Sequence, residues 1–171
     1  MRVGIGYDSH RFEPGLSLVL AGVPIPDHAG LKGHSDGDAV AHALIDALLG
    51  AAALGNIGDH FPDTDARWKG ADSMALLAAA VRLIEERNYQ VVNADVTIVT
   101  ESPRVSPWVD PMAERLAERL SISRSCVSIK GKTNEGMGWV GRGEGLAVMV
   151  VVLLDQIKDI DTLHASIRTG G

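Results

Sequence analysis

At 171 residues, with 46% hydrophobic and 22% charged residues, the chain has the composition of one globular domain rather than of a disordered or fibrous segment. Its net charge of −6 supplies no basic field for a nucleic-acid backbone, and no arginine- and aromatic-rich strand suggests a base-stacking platform. The single cysteine, Cys126, excludes an intrachain disulfide and a four-cysteine structural zinc, and no run approaches the roughly 18 apolar residues of a membrane span.

The first residues, Met1-Arg2-Val3-Gly4-Ile5-Gly6, enter a strand pattern directly, without a long apolar stretch and small-residue cleavage site. The cytoplasm is the expected compartment, or a plastid stroma if the chain is a processed form. Alternation and β-rich composition predict strands over residues 2–7, 17–21, 91–100, 127–132 and 146–154. In the third, Val92, Ala94, Val96 and Ile98 alternate with Asn93, Asp95, Thr97 and Val99. A first helix is expected from an N-cap at Ser35 or Asp36 to about residue 54, with Val40, Leu44 and Leu48 beside Ala41, Ile45 and Leu49 as its apolar stripe. A second spans about 72–88, and a third opens at Ser106-Pro107 and ends near 120. The pattern predicts an α/β sandwich (α+β in arrangement), a mixed sheet with helices packed on one face. No linker divides it: residues 1–154 form one domain, and 155–171 a polar tail to which no chemistry is assigned. The last strand, Leu146 to Leu154, is too continuously apolar for one exposed face, which another subunit would cover.

Asp8, His10 and His42 offer one carboxylate and two imidazoles, a donor set suited to a catalytic zinc that keeps an open fourth position. Asp8 and His10 are two apart and point to one side of a strand. Asp38, His42 and Asp46 recur every four residues, so they share a helical stripe on which Asp38 or Asp46 could hold the second ring nitrogen of His42. A solvated aspartate with capping or surface histidines fits the same spacing. The loop Asn56-Ile57-Gly58 to Phe61-Pro62-Asp63-Thr64-Asp65 has the composition of a polar ligand loop, and equally of a turn with Asx caps. Lys132-Thr133-Asn134-Glu135 offers a cation, a hydroxyl and amides for phosphate, and a carboxylate for a hard cation; it lacks the glycine spacing of a P-loop.

Together, Asp8-Ser9-His10, His34-Ser35-Asp36-Gly37-Asp38, His42, Phe61-Pro62-Asp63-Thr64-Asp65, Lys132-Thr133-Asn134-Glu135-Gly136 and Gly141-Arg142-Gly143-Glu144-Gly145 closely resemble the 2-C-methyl-D-erythritol 2,4-cyclodiphosphate synthase family, in order from Met1 to about Leu154. The resemblance implies a lyase of the non-mevalonate isoprenoid pathway. It converts 4-diphosphocytidyl-2-C-methyl-D-erythritol 2-phosphate to the cyclic diphosphate and CMP. It further implies zinc on Asp8, His10 and His42, and Mg²⁺ or Mn²⁺ at Glu135. His34 and Thr133 are the implied transition-state contacts, with Ser35 on phosphate. Asn56 to Gly58 and Phe61 to Asp65 would hold the methylerythritol portion. Thr100, Glu101, Ser102, Pro103, Arg104, Val105 and Ser106, with Lys132 to Glu135, would hold the cytidine diphosphate. A homotrimer is implied, with each site between neighbouring subunits and Trp139 and Arg142 near a central cavity able to take an isoprenoid diphosphate. The family commonly has aspartate where this chain has Asn56, so weaker binding of the erythritol hydroxyls is expected. The same ligands would also serve a zinc-dependent phosphodiesterase, or a non-catalytic trimeric binder of metal or isoprenoid.

Overall fold

The computed structural model describes residues 1–157. Its first strand, β1 (Arg2–Leu20), is a single 19-residue ribbon where two separate strands were expected. Its first half pairs antiparallel with β5 (Gly145–Gln156) from Arg2 to Arg11. From Phe12 onward it pairs instead with β2 (Val23–Leu31), an element the sequence pattern did not predict. Pro24 and Pro26 mask β2, because proline cannot donate to an interior ladder; β2 lies at the sheet edge, where that loss is tolerated. A two-residue turn joins the two strands, with positive φ at Ala21 and Gly22, the backbone of a type I′ hairpin. The remaining strands are β3 (Tyr89–Val99) and β4 (Val127–Lys132), parallel to each other, and the sheet order is β2-β1-β5-β3-β4.

The sheet is therefore mixed, as expected, and α1 (Ala39–Ala52) lies against β1 and β5 on one face. Val40, Leu44, Ile45, Leu48 and Leu49 are fully buried. Nearly every position of α1 is enclosed, because α3 (Ser73–Glu85) packs over its other side. The short α2 (Ile57–His60) follows α1, and α4 (Val109–Leu120) covers β4 after a 3₁₀ turn at Ser106–Trp108. A one-turn helix, α5 (Gly138–Gly141), precedes β5. The first helix begins later than expected: its N-cap is Asp38, whose carboxylate accepts from the Val40 and Ala41 amides, while Ser35 and Asp36 belong to the preceding loop.

Close approach of α1 to β1 is possible only because Gly4 and Gly6 carry no side chain. A Cβ at Gly6 would sit 1.8 Å from the Ala43 carbonyl oxygen, and one at Gly4 2.0 Å from that of Ala47. By the two-residue period of a strand, Gly4, Gly6, Asp8 and His10 share the helix-facing side of β1. Val3, Ile5 and Tyr7 share the other and are 69%, 71% and 55% exposed. They pair across the ladder with Leu153, Val151 and Met149. Along β3 the simple alternation fails at its start. A register shift between Val91 and Asn93 puts Val92 outward, while Ala94, Val96 and Ile98 point to the core. The predicted tail keeps to the sheet as far as Gln156; residues 158–171 lie outside the described residues.

Candidate metal centre and substrate clefts

Asp8 and His10 come from the middle of β1, where the strand changes partner, and His42 from the second turn of α1. The three converge. His10 Nε2 and His42 Nδ1 stand 2.9 and 3.0 Å from Asp8 Oδ2 and 3.3 Å from each other. A tetrahedral ion about 2.1 Å from each donor keeps its ligands roughly 3.4 Å apart, so the observed spacings fit one ion to within about half an ångström. These three form the one cluster of metal-ligating side chains found among the described residues.

Both imidazoles are oriented by their other nitrogen. His10 Nδ1 donates to the Lys32 carbonyl at 2.6 Å, leaving Nε2 directed at the cluster. His42 Nε2 lies 2.9 Å from both the Ser35 and the Ser73 hydroxyls, leaving Nδ1 for the cluster. Burial opposes ionisation of Asp8, but hydrogen bonds and charges from His10 and His42 outweigh it and hold the carboxyl well below the usual range. For His10, burial acts downward and the Asp8 carboxylate more than compensates, raising its pKa. The site is thus electrostatically set as an anion between two imidazoles.

The carboxylates expected to orient His42 have other duties. Asp38 is fully buried and binds four backbone amides, those of Ala21, Gly22, Val40 and Ala41, so it locks the β1–β2 turn onto the start of α1. Burial, with the neighbouring Asp36 charge, pushes its carboxyl up to about 6, against the Gly22, Ala41 and Ala21 amides. Asp46 accepts from the Ile57 amide at 2.7 Å and anchors α2 beside the metal cluster; its pKa is raised, first by burial.

A cleft of about 400 Å³ opens over the cluster, lined by Asp8, His10, His34, Ser35, His42, Asp46, Ile57, Gly58, Phe61, Pro62 and Asp63. Trp68 and Leu76 complete it; neither stood out in the sequence, since single apolar residues carry no chemical signature. Asn56, Thr64 and Asp65 are absent from this lining. Asn56 instead caps α2, its side-chain oxygen accepting from the Gly58 amide while Asp59 accepts from the Asn56 amide. Asp65 caps the 3₁₀ turn Ala66–Trp68 and pairs with Arg67 at 2.6 Å.

A second cleft, of about 730 Å³, lies along the edge strand β4. Its walls include Thr100, Glu101, Pro103, Arg104, Val105, Ser106, Lys130, Gly131, Lys132 and Thr133. Glu101 shapes its rim: one carboxylate oxygen accepts from the Asn134 and Gly136 amides at 2.9 and 3.1 Å. That clamp bends residues 133–136, where Glu135 takes a positive φ of 52° and receives the Thr133 hydroxyl hydrogen at 2.8 Å. Ser102, Asn134 and Glu135 lie outside the cleft lining. Trp139 borders a third hollow with Ser9, His10, Arg11 and Glu144, and Arg142 pairs with Glu144 at 2.7 Å. Within one chain, then, His34 and Thr133 line different clefts that share no residue.

Fold and site together define an α/β protein with three side chains that could hold a metal ion at one cleft. A family model described as the YgbB family matches residues 1–155. A 2-C-methyl-D-erythritol 2,4-cyclodiphosphate synthase of Brachyspira hyodysenteriae is 52% identical over 158 residues, spanning 92% of this chain and 100% of that protein. The synthase of the same description from Methylococcus capsulatus is 54% identical over 153 residues, spanning 90% and 97%. A solved structure of 2C-methyl-D-erythritol-2,4-cyclodiphosphate synthase in its CDP-bound form overlays with a TM-score of 0.83 at 40% identity, covering 90% of this chain and 100% of that one. The chain belongs to the YgbB family.

Proposed function

We propose that the chain, as one synthase domain over residues 1–154, converts 4-diphosphocytidyl-2-C-methyl-D-erythritol 2-phosphate to 2-C-methyl-D-erythritol 2,4-cyclodiphosphate and CMP. It is then a phosphorus–oxygen lyase of the non-mevalonate isoprenoid pathway. The observation that carries the reading is the Asp8, His10 and His42 cluster at the floor of a cleft in a chain about half identical to named synthases along its length. In the reaction the substrate's 2-phosphate attacks the β-phosphorus of its own cytidine diphosphate arm and the bond to CMP breaks. The attacking phosphate is already ionised and needs no general base, so the protein's task is positioning and electrostatics.

Asp8, His10 and His42 would hold zinc and Glu135 would hold Mg²⁺ or Mn²⁺, which when bound would supply Lewis-acid neutralisation of the crowded phosphates. His34 and Ser35 border the metal cleft, where each can donate to phosphate oxygens. Ile57, Gly58, Phe61, Pro62 and Asp63 wall the space for the methylerythritol portion. Lys132 and Thr133 in the second cleft meet the diphosphate, with the 100–106 loop beside the cytidine.

Since the two clefts are separate within a chain, the complete site forms where the metal cleft of one subunit meets the nucleotide cleft of the next. A homotrimer supplies that meeting, and the uncovered Val3, Ile5 and Tyr7 face supports it. Trp139 and Arg142 then border the central cavity, where an isoprenoid diphosphate binds. No helix among the described residues is long and apolar enough to cross a membrane, in keeping with a cytoplasmic enzyme.

Incubation with the cytidine substrate and Mg²⁺, followed by phosphorus NMR, tests the reading. CMP and the cyclic diphosphate should appear together. CMP with a linear phosphate product would replace cyclisation by hydrolysis, and zinc binding without turnover would leave a binding protein.

A further inference from the structure

Ser73 is fully buried at the first turn of α3, yet its hydroxyl does not cap that helix. Asp72 is the cap, accepting from the Met74 amide at 2.9 Å. The Ser73 hydroxyl instead lies 2.9 Å from His42 Nε2 and hydrogen-bonds Asp36 Oδ1. Asp36 is held for this contact from three sides. Its carboxylate accepts from the Ser73 amide at 3.1 Å and the Asp38 amide at 3.2 Å, and its own amide donates to the Ala71 carbonyl at 3.2 Å.

Proton accounting gives this chain one direction. With His42 Nδ1 facing Asp8 and His10 as a ligand atom, the imidazole hydrogen sits on Nε2 and must be donated. The Ser73 hydroxyl has a single hydrogen, and it goes to the Asp36 carboxylate. The hydroxyl therefore donates to Asp36 and accepts from His42. The Ser35 hydroxyl also lies 2.9 Å from Nε2 and 3.0 Å from Ser73, without a bond to Asp36. With the Ser73 hydrogen on Asp36, Ser35 is the donor across the contact to Ser73, so it belongs to the same hydrogen-bonded group behind His42.

We infer that Ser73 and Asp36 are positioning residues for the metal ligand His42, an outer carboxylate acting through a buried hydroxyl to fix the tautomer that presents Nδ1. The inference rests on the metal-centre reading. His10 is oriented by a backbone carbonyl that no side-chain substitution removes, whereas His42 depends on side chains, Ser73 at the start of α3 and Ser35 and Asp36 in the loop before α1. Outer partners of a metal-bound imidazole typically contribute 10- to 100-fold in metal affinity.

The test is zinc affinity, by competition with a chromophoric chelator, for the wild type, Ser73→Ala, Asp36→Asn and His42→Ala, with circular dichroism to check the fold. Ser73→Ala and Asp36→Asn should each weaken zinc binding by about 10- to 100-fold. Combining them should add little beyond Ser73→Ala alone, because both cut one chain. A purely structural role would lower the melting temperature and leave zinc affinity unchanged, which would overturn the inference. Should the variants fail to fold, nitrogen-15 shifts of the histidine rings in zinc-loaded wild type decide it. Zinc on Nδ1 of His42 with hydrogen on Nε2 supports the relay, and zinc on Nε2 overturns it. A wild type that binds no zinc defeats the metal-centre reading itself and is thereby distinguished.

Discussion

Asp38 combines full burial with four backbone donors, and the two act oppositely on its charge. Burial prevails and raises its pKa from 3.8 to about 6. A carboxyl that binds its proton more tightly when folded contributes stability that is complete below 3.8 and lost as pH rises through about 6. The wild type should therefore lose about 3 kcal/mol relative to Asp38→Asn across that window, the direction following from linkage. Urea titrations of both proteins at several pH values check this; a difference that moves in the wild type's favour as pH rises would mean that the backbone donors, not burial, set the ionisation, and a pH-independent one that the two cancel. Asp38 was legible as a polar residue on the His42 stripe. Its actual use as a brace for the β1–β2 turn was not, because the amides of Ala21 and Gly22 come from another part of the chain.

At the scale of elements, the contact between β1 and α1 sets the metal centre. Gly6→Ala drives a methyl group into the Ala43 carbonyl, a backbone atom that cannot turn aside. The expected cost is about 3 kcal/mol or more, above the ordinary range for overpacking, with zinc affinity falling because His42 moves away from Asp8. Equilibrium unfolding and zinc competition read both effects. The second cleft depends on the Glu101 clamp in the same way. Glu101→Ala frees the Asn134 and Gly136 amides and should raise KM for the cytidine substrate about tenfold, the equivalent of one charge-assisted hydrogen bond, while zinc affinity stays at the wild-type value. Steady-state kinetics with zinc titration separates the two clefts; an unchanged KM would show that the loop holds its shape without the clamp. β4 was predicted with its observed bounds because its pattern is local. β2 was hidden because an edge position, invisible in sequence, is what makes its two prolines acceptable.

For the whole molecule, strand alternation divides β1 into two functional faces. Gly4, Gly6, Asp8 and His10 face α1 or the cleft, and Val3, Ile5 and Tyr7 face outward beside Met149 and Val151, which are 43% and 44% exposed. The continuous apolar run of β5 is thereby explained only in part by the single chain, since these outward residues find no cover there. Ile5→Asp puts a charge at the most exposed of them and should convert the proposed trimer to monomer in sedimentation equilibrium. Activity should fall with the assembly, since His34 and Thr133 line clefts that one chain keeps apart. A wild type that sediments as a monomer at working concentration would remove this account of the face.

What the sequence by itself determined is what local periodicity and residue chemistry carry. Asp8 and His10 share a strand face, His42 lies on an apolar helix, and one cysteine leaves imidazole and carboxylate as the available metal donors. Only the tertiary structure decided which faces meet. It closed His42 onto Asp8 from 34 residues away, brought Ser73 and Asp36 behind it from 37 residues apart, and parted His34 from Thr133. A local period states which side of an element is apolar or polar, but not which other element covers it. That choice belongs to close packing between distant segments, and here it turns on the missing side chains of Gly4 and Gly6.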